Sequence, residues 1–141
     1  PRIFAFLEEG YEMVIASRMM PGAFNEEDVH FWRPRKWVNN AFTLGANLLF
    51  NRRAALTDTI NGYRGVAKPA FERMGIDVDG FDVEFTMSIR AMKLGLRVAE
   101  FPTREGARVG GVSTAESWKT GVVFVKRFLN EMRIGDRFGP S

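Results

Sequence analysis

The chain has 141 residues, 45% apolar and 26% charged, which is the length and composition of one globular domain and argues against disorder. It has no Cys, which excludes disulfides and thiolate metal sites, and a single His, His30, which weighs against a His-based metal centre or catalytic triad. No run approaches the roughly 18 apolar residues of a spanning helix. The net charge of +3 is unevenly placed, −4 over residues 1–30 and +7 over residues 31–141, and 15 of the 20 cations are Arg. Guanidinium is the better bidentate partner for phosphate or carboxylate, so an anionic ligand is one explanation and an Arg-rich composition is the other.

The chain begins at Pro1, without Met, inside a helical pattern of Ile3, Phe4 and Leu7 that Gly10 ends. This reads as a fragment with sequence missing upstream. Met13–Ala16 reads as a short buried strand, followed by a loop with Pro21, Gly22 and the acidic run Glu26-Glu27-Asp28. Pro34 suits a helix start. From there to Phe50, Trp37, Ala41, Leu44 and Leu48, with Val38, Phe42 and Leu49, predict a wide buried face. Asn61-Gly62 marks a turn before a strand at Arg64–Ala67. A short helix follows from Pro69 to Gly75. A stronger helix spans Asp82–Leu94 and is closed by Gly95. Leu96–Phe101 reads as a strand ended by Pro102, and Arg104–Thr114 is Gly-rich without a period. A last helix covers Ser117–Arg133. Strands alternating with helices predict an α/β layer architecture with strands at 13–16, 64–67 and 96–101.

Five constellations could carry chemistry or binding. Lys36, Asn40, Thr43 and Asn47, with Asn39 beside them, form a mostly neutral polar stripe on the 34–50 helix. Such a stripe fits a polar cleft wall, and packing on another polar segment explains it equally. Asp58 precedes the Asn61-Gly62 turn, where a carboxylate can enter a site or accept bonds from its own turn. Asp82 and Glu84 stand at a helix start, where carboxylates complement the dipole and one of them can serve as cap. Glu84 shares a face with the small residues Ser88 and Ala91, which leaves room for a ligand. Arg104–Thr114 combines glycines, Arg108 and Ser113 into an anion cradle or a solvated loop. The 117–133 helix aligns Trp118, Val122, Val125, Leu129 and Met132 opposite Lys119, Lys126, Asn130 and Arg133, with Arg127 near. A basic amphipathic helix of this kind either lies on an anionic membrane or packs on its domain.

Six segments, in order, carry a resemblance. They are residues 7–18 (LEEGYEMVIASR), 45–49 (GANLL), 58–64 (DTINGYR), 80–81 with 90–95 (GF and RAMKLG), 98–102 (VAEFP) and 108–113 (RVGGVS). Together they resemble the family 2 glycosyltransferases, inverting enzymes of the GT-A fold. Within that family the closest likeness is to the branch of dolichyl-phosphate mannose synthase and the bacterial polyprenyl-phosphate glycosyltransferases. The implied fold is α/β: residues 1–141 form the C-terminal, acceptor-side portion of a single Rossmann-like GT-A domain with a mixed sheet. The nucleotide-binding half and the metal-binding Asp-x-Asp would lie upstream.

The resemblance implies roles residue by residue. Arg18 would face phosphates. Arg35, with Asn39 one turn later, would lie on the acceptor-phosphate side, and Arg33 competes with Arg35 for that role. Asp58 would lie near sugar and acceptor. Arg108 and Ser113 would belong to a loop closing on phosphates. Thr86 stands where relatives commonly hold a carboxylate, and Glu84 is the nearby acid. The implied partners are a nucleotide-sugar donor and a polyprenyl-phosphate or glycan acceptor, with Mg2+ or Mn2+ held mainly by upstream ligands and none on this chain. A lipid phosphate needs no base, whereas a hydroxyl needs a carboxylate such as Asp58 or Glu84 to take its proton. The implied place is the cytoplasm, at the inner face of the membrane through residues 117–133. A non-catalytic module for anionic polymers is the reading of another class. The sequence has no nucleic-acid motif, and nucleic acid is not expected as a partner. An incomplete domain should also leave Ile3, Phe4 and Val14 without partners and the chain alone inactive.

Overall fold

A computed structural model describes residues 2–25, 34–53, 55–105 and 117–138. In chain order these form α1 (Arg2–Glu8), β1 (Met13–Ser17), β2 (Phe24–Asn25), α2 (Pro34–Phe50), β3 (Arg64–Val66), α3 (Lys68–Met74), α4 (Val83–Leu94), β4 (Val98–Pro102), β5 (Arg104–Glu105) and α5 (Ser117–Ile134). The α/β class and the mixed sheet are those expected, consistent with part of a Rossmann-like glycosyltransferase domain. Every expected strand and helix is present within two residues. The short parallel pair of β2 and β5 was not expected. Two residues per strand show no periodicity to read.

The main sheet has the order β3-β1-β4, with β1 antiparallel to β3 and parallel to β4. Ile15 on β1 stands opposite Arg64 on β3 and Glu100 on β4, so these three side chains share one face. Met13 and Ile15 point from that face into a core with Phe85, Ile89 and Met92 of α4 and Ala46 and Phe50 of α2. Rings of Phe42, Phe50, Phe85, Phe124 and Phe128 stack and tilt against one another at 5.4–6.4 Å and join α2, α4 and α5.

The other face of the sheet holds α1. Val14 pairs with Gly65, where a Cβ would run into the Ile3 Cγ2 methyl. Val14 is fully buried and Ile3 is packed at Gly65, which corrects the expectation that both lack partners. Phe4 does stand exposed.

The expected burial of α2 is inverted. Trp37 and Leu48 are each 76% exposed, and Val38, Ala41, Leu44 and Leu49 also face outward. Of the apolar residues named for that face, Phe42 alone packs on the core. The helix turns Asn39, Thr43 and Ala46 inward, with Asn47 partly covered. Burial is tolerable because each polar group meets a partner in the segment that covers it. The Asn47 amide donates to the Leu56 carbonyl at 2.7 Å, and its oxygen accepts the Leu56 amide at 2.9 Å. Thr43 Oγ1 lies 2.8 Å from Thr59 Oγ1.

α5 is also outward on its apolar stripe. Val122, Val125, Leu129 and Met132 are exposed, whereas Phe124 and Glu131 are buried. Arg127 turns inward and donates through Nε to Asp82 Oδ2 at 2.8 Å. Asp82 occupies the N-cap position of α4 but makes no side-chain cap bond, so its carboxylate serves Arg127 instead of the cap.

Candidate functional site

The 57–61 segment lies over the carboxyl-terminal ends of β1 and β4, the place where open α/β sheets commonly form ligand crevices. Three residues of the sheet hold it there. Ser17 Oγ, at the last residue of β1, lies 2.7 Å from Thr57 Oγ1. The Asn61 side-chain amide donates to the Ala16 carbonyl. Glu100 on β4 accepts the amides of Thr57, at 2.8 Å and 3.0 Å, and of Asp58, at 3.1 Å.

Asp58 is 0% exposed and accepts five hydrogen bonds. Oδ2 takes the Arg18 amide at 3.1 Å and Arg18 Nε at 3.2 Å. Oδ1 takes Asn39 Nδ2 at 3.3 Å and the amides of Ile60 at 3.2 Å and Asn61 at 3.1 Å. Oδ1 thus ties down its own turn and reaches Asn39 on α2, and Oδ2 meets Arg18, 40 residues away in sequence.

The electrostatics follow from these contacts. Burial pushes the Asp58 carboxyl up, but the Arg18 charge and the donors around it outweigh burial, so its pKa lies below the ordinary value. Glu100 goes the other way. Burial raises its pKa, the Thr57 and Asp58 amides oppose that only in part, and the Asp58 charge adds to the rise. Arg64 is pulled down to about 10, first by burial, with the neighbouring charges of Glu84, Asp58 and Glu100 acting against it. It stays cationic at neutral pH. Its guanidinium donates to the Asn61 carbonyl at 2.8 Å, the Glu84 carbonyl at 2.8 Å and Ser88 Oγ at 3.0 Å, and so ties the turn to α4.

Arg18, Asn39 and Asp58, from three separate segments, therefore meet at one point, and the Arg18 side chain is 26% exposed there. Arg35 lies in the first turn of α2, one turn before Asn39, with its backbone alone described. Arg33, Arg108 and Ser113 lie outside the described residues.

With this geometry in place, comparison with known proteins gives a relative. The chain is similar to the glycosyltransferase AglJ of Haloferax volcanii. The two are 30% identical over 111 residues, 77% of this chain and 34% of AglJ. The chain thus spans about a third of the length of that curated relative. No family model and no solved structure matches. The similarity supports kinship with a glycosyltransferase and singles out no branch.

Glu84 stands apart from the Asp58 set. Its carboxylate faces Gly62, where a Cβ would come within 3.1 Å of Oε1. The space in front of Ser88 is filled, because Ser88 Oγ lies 2.9 Å from the Thr59 carbonyl and also receives Arg64. Thr86 is fully buried and donates to the Asp82 carbonyl at 2.7 Å. Among the described residues no group of three His, Cys, Asp or Glu side chains could hold a metal. Both Asp58 oxygens are committed to donors, so this set offers no free carboxylate oxygen to a metal. A groove of about 250 Å3 lined by Arg2, Ala5, Phe6, Glu9 and Phe101 lies between α1 and β4 and contains none of the Asp58 set.

Sequence reasoning gave no role to Glu100, although it quoted the strand that carries it. The available signal was an acid inside a strand otherwise made of Val98, Ala99, Phe101 and Pro102. A carboxylate in such a strand needs donors above the sheet, and two loop amides supply them.

Proposed function

We propose that this chain is the acceptor-side part of an inverting glycosyltransferase that moves a sugar from a nucleotide-sugar to a polyprenyl phosphate. The observation that carries this reading is the Asp58 carboxylate, buried, ion-paired with Arg18 and held below its ordinary pKa. A general base works best with a pKa near the operating pH and within reach of the proton it takes. The Asp58 pKa is lowered, and its oxygens already accept five hydrogen bonds. Glu100 has the raised pKa, but its oxygens hold two amides. A phosphate acceptor is anionic at neutral pH and needs neither as a base. Its oxygen attacks the anomeric carbon from the face opposite the nucleotide, the bond from that carbon to the diphosphate oxygen breaks, and the electron pair leaves with the diphosphate. Asp58, itself held by Asn39, orients Arg18, whose cation stabilises phosphate charge in that transition state.

The exposed stripes of α2 and α5 support a lipid acceptor. Trp37, Leu44 and Leu48 on one helix and Val122, Val125, Leu129 and Met132 on the other are apolar surface on neighbouring elements. Lys126 and Arg133 flank the second stripe and are exposed. Among the described residues no helix is long and apolar enough to cross a membrane, so contact through these helices would be adsorption. The anionic-polymer reading is weakened, because Arg90, Lys93 and Arg127 spend their charge on internal partners.

The test offers the complete enzyme a matched pair of acceptors, a polyprenyl phosphate and the corresponding free alcohol or glycan. Transfer to the phosphate with inverted anomeric configuration is expected. Transfer to the hydroxyl alone would replace this reading with the hydroxyl-acceptor one.

A further inference from the structure

Glu100 is held on β4 with its side chain on the face of the sheet that carries Ile15 and Arg64, beneath the 57–61 segment. Its oxygens accept two successive amides, Thr57 and Asp58. The second of these is the amide of the residue whose side chain meets Arg18 and Asn39. The Asp58 backbone is thereby fixed from below by Glu100, and the Asp58 side chain is fixed from above by Arg18 and Asn39. Two carboxylates serve one short segment. The charged groups around Glu100 are Asp58 in that segment and Arg64 on β3.

A charge placed this way is an expensive means of holding a loop. Burial and the Asp58 charge both disfavour ionised Glu100, and a neutral side chain could receive an amide at lower electrostatic cost. The ionised form does bind both amides at once, which a single neutral acceptor does less well. We infer that Glu100 is the positioning residue for Asp58: by clamping the Thr57 and Asp58 amides it sets where the Asp58 carboxylate meets Arg18. This inference rests on the proposed role of the Asp58 site in sugar transfer. Glu100 acts through Asp58 and does not itself touch the reacting atoms.

The experiment compares Glu100→Gln, Glu100→Asp and Asp58→Asn in the complete enzyme, following kcat, KM, the pH profile and Tm. Glu100→Gln retains the shape but not the charge. It should lower kcat by about 10²-fold, the scale of a small misplacement of reacting groups, with KM little changed. Its Tm at neutral pH should not fall, because the amide resembles the protonated form that burial favours. The wild-type acid limb of kcat should lie above the ordinary Glu value of 4.5 and vanish in Glu100→Gln. Glu100→Asp, charged but shorter, should keep that limb and part of the rate. Wild-type kcat in Glu100→Gln beside an inactive Asp58→Asn would overturn the positioning role and leave the site reading intact. Equal losses of kcat at every pH together with a lowered Tm would make Glu100 merely structural and overturn it too. Full activity in Asp58→Asn would overturn the site reading itself.

Discussion

Replacing Glu131 with Gln should be among the most destabilising single substitutions in this chain. Glu131 is 0% exposed on α5 and stands between two cations of α4, Arg90 and Lys93, that are themselves buried. Oε1 accepts Arg90 Nε at 3.2 Å and Nη2 at 3.0 Å, and Oε2 accepts Lys93 Nζ at 2.7 Å. Arg90 also donates to the Met74 and Gly75 carbonyls and to Asp77, and Lys93 to the Gly135 carbonyl. The network ties α4, α5 and the end of α3 together. Removing its buried anion leaves two desolvated cations with one partly exposed counter-charge, Asp77. Breaking a buried pair this way costs about 3–5 kcal/mol. At about 3 °C per kcal/mol for a domain of this size, Tm should fall by roughly 10–15 °C. The control is Arg52→Ala, which removes the exposed Arg52–Asp136 pair and should cost no more than about 1 kcal/mol. Urea unfolding followed by circular dichroism measures both. A Glu131→Gln loss equal to that of Arg52→Ala would refute the assignment of stability to this network.

Four other outcomes are expected. Gly65→Val should displace α1 and cost about 1–3 kcal/mol, because the new side chain meets Ile3; early proteolysis in residues 2–8 would report it. The Asp58 pKa is lowered in the fold, so its stabilisation is present above the ordinary value of 3.8 and is lost as pH falls through the folded value below that; Asp58→Asn should remove this acid-side slope. Glu100 has the opposite sign: its contribution is present below the ordinary 4.5 and is lost as pH rises through the raised folded value, so Glu100→Gln should flatten the decline above pH 4.5 in urea titrations. Lys126→Glu with Arg133→Glu should release the complete enzyme from anionic vesicles at about 1 kcal/mol per cation without lowering Tm, and unchanged sedimentation would remove the membrane role of α5.

The parts of the fold that follow from backbone preference were legible in the sequence. Gly75 and Gly95 adopt φ of 52° and 61° and end α3 and α4 where the glycines predicted. Burial was less legible. The periodicity of α2 shows that its two faces differ, but not which of them is inside. Trp37 and Leu48 are outside because the covering segment offers Thr59 and the Leu56 backbone, which suit Thr43 and Asn47 better than an apolar stripe. The inward turn of Arg127 depends on Asp82, 45 residues away, and no local pattern carries that pairing. At the site, Asp58, Arg18 and Asn39 were named from sequence and do meet. The clamp by Glu100 was not named, because it depends on the register of β4 against β1.

The most direct measurement is sugar transfer to a polyprenyl phosphate by the complete enzyme and by its Asp58→Asn variant, with folding checked by circular dichroism. The isolated 141-residue chain serves as the blank and should turn over no nucleotide-sugar. Losing the carboxylate that orients Arg18 should lower kcat on the order of 10²–10³-fold, the scale of a lost transition-state charge contact, while the fold persists at neutral pH. A folded Asp58→Asn variant with undiminished transfer would contradict the account.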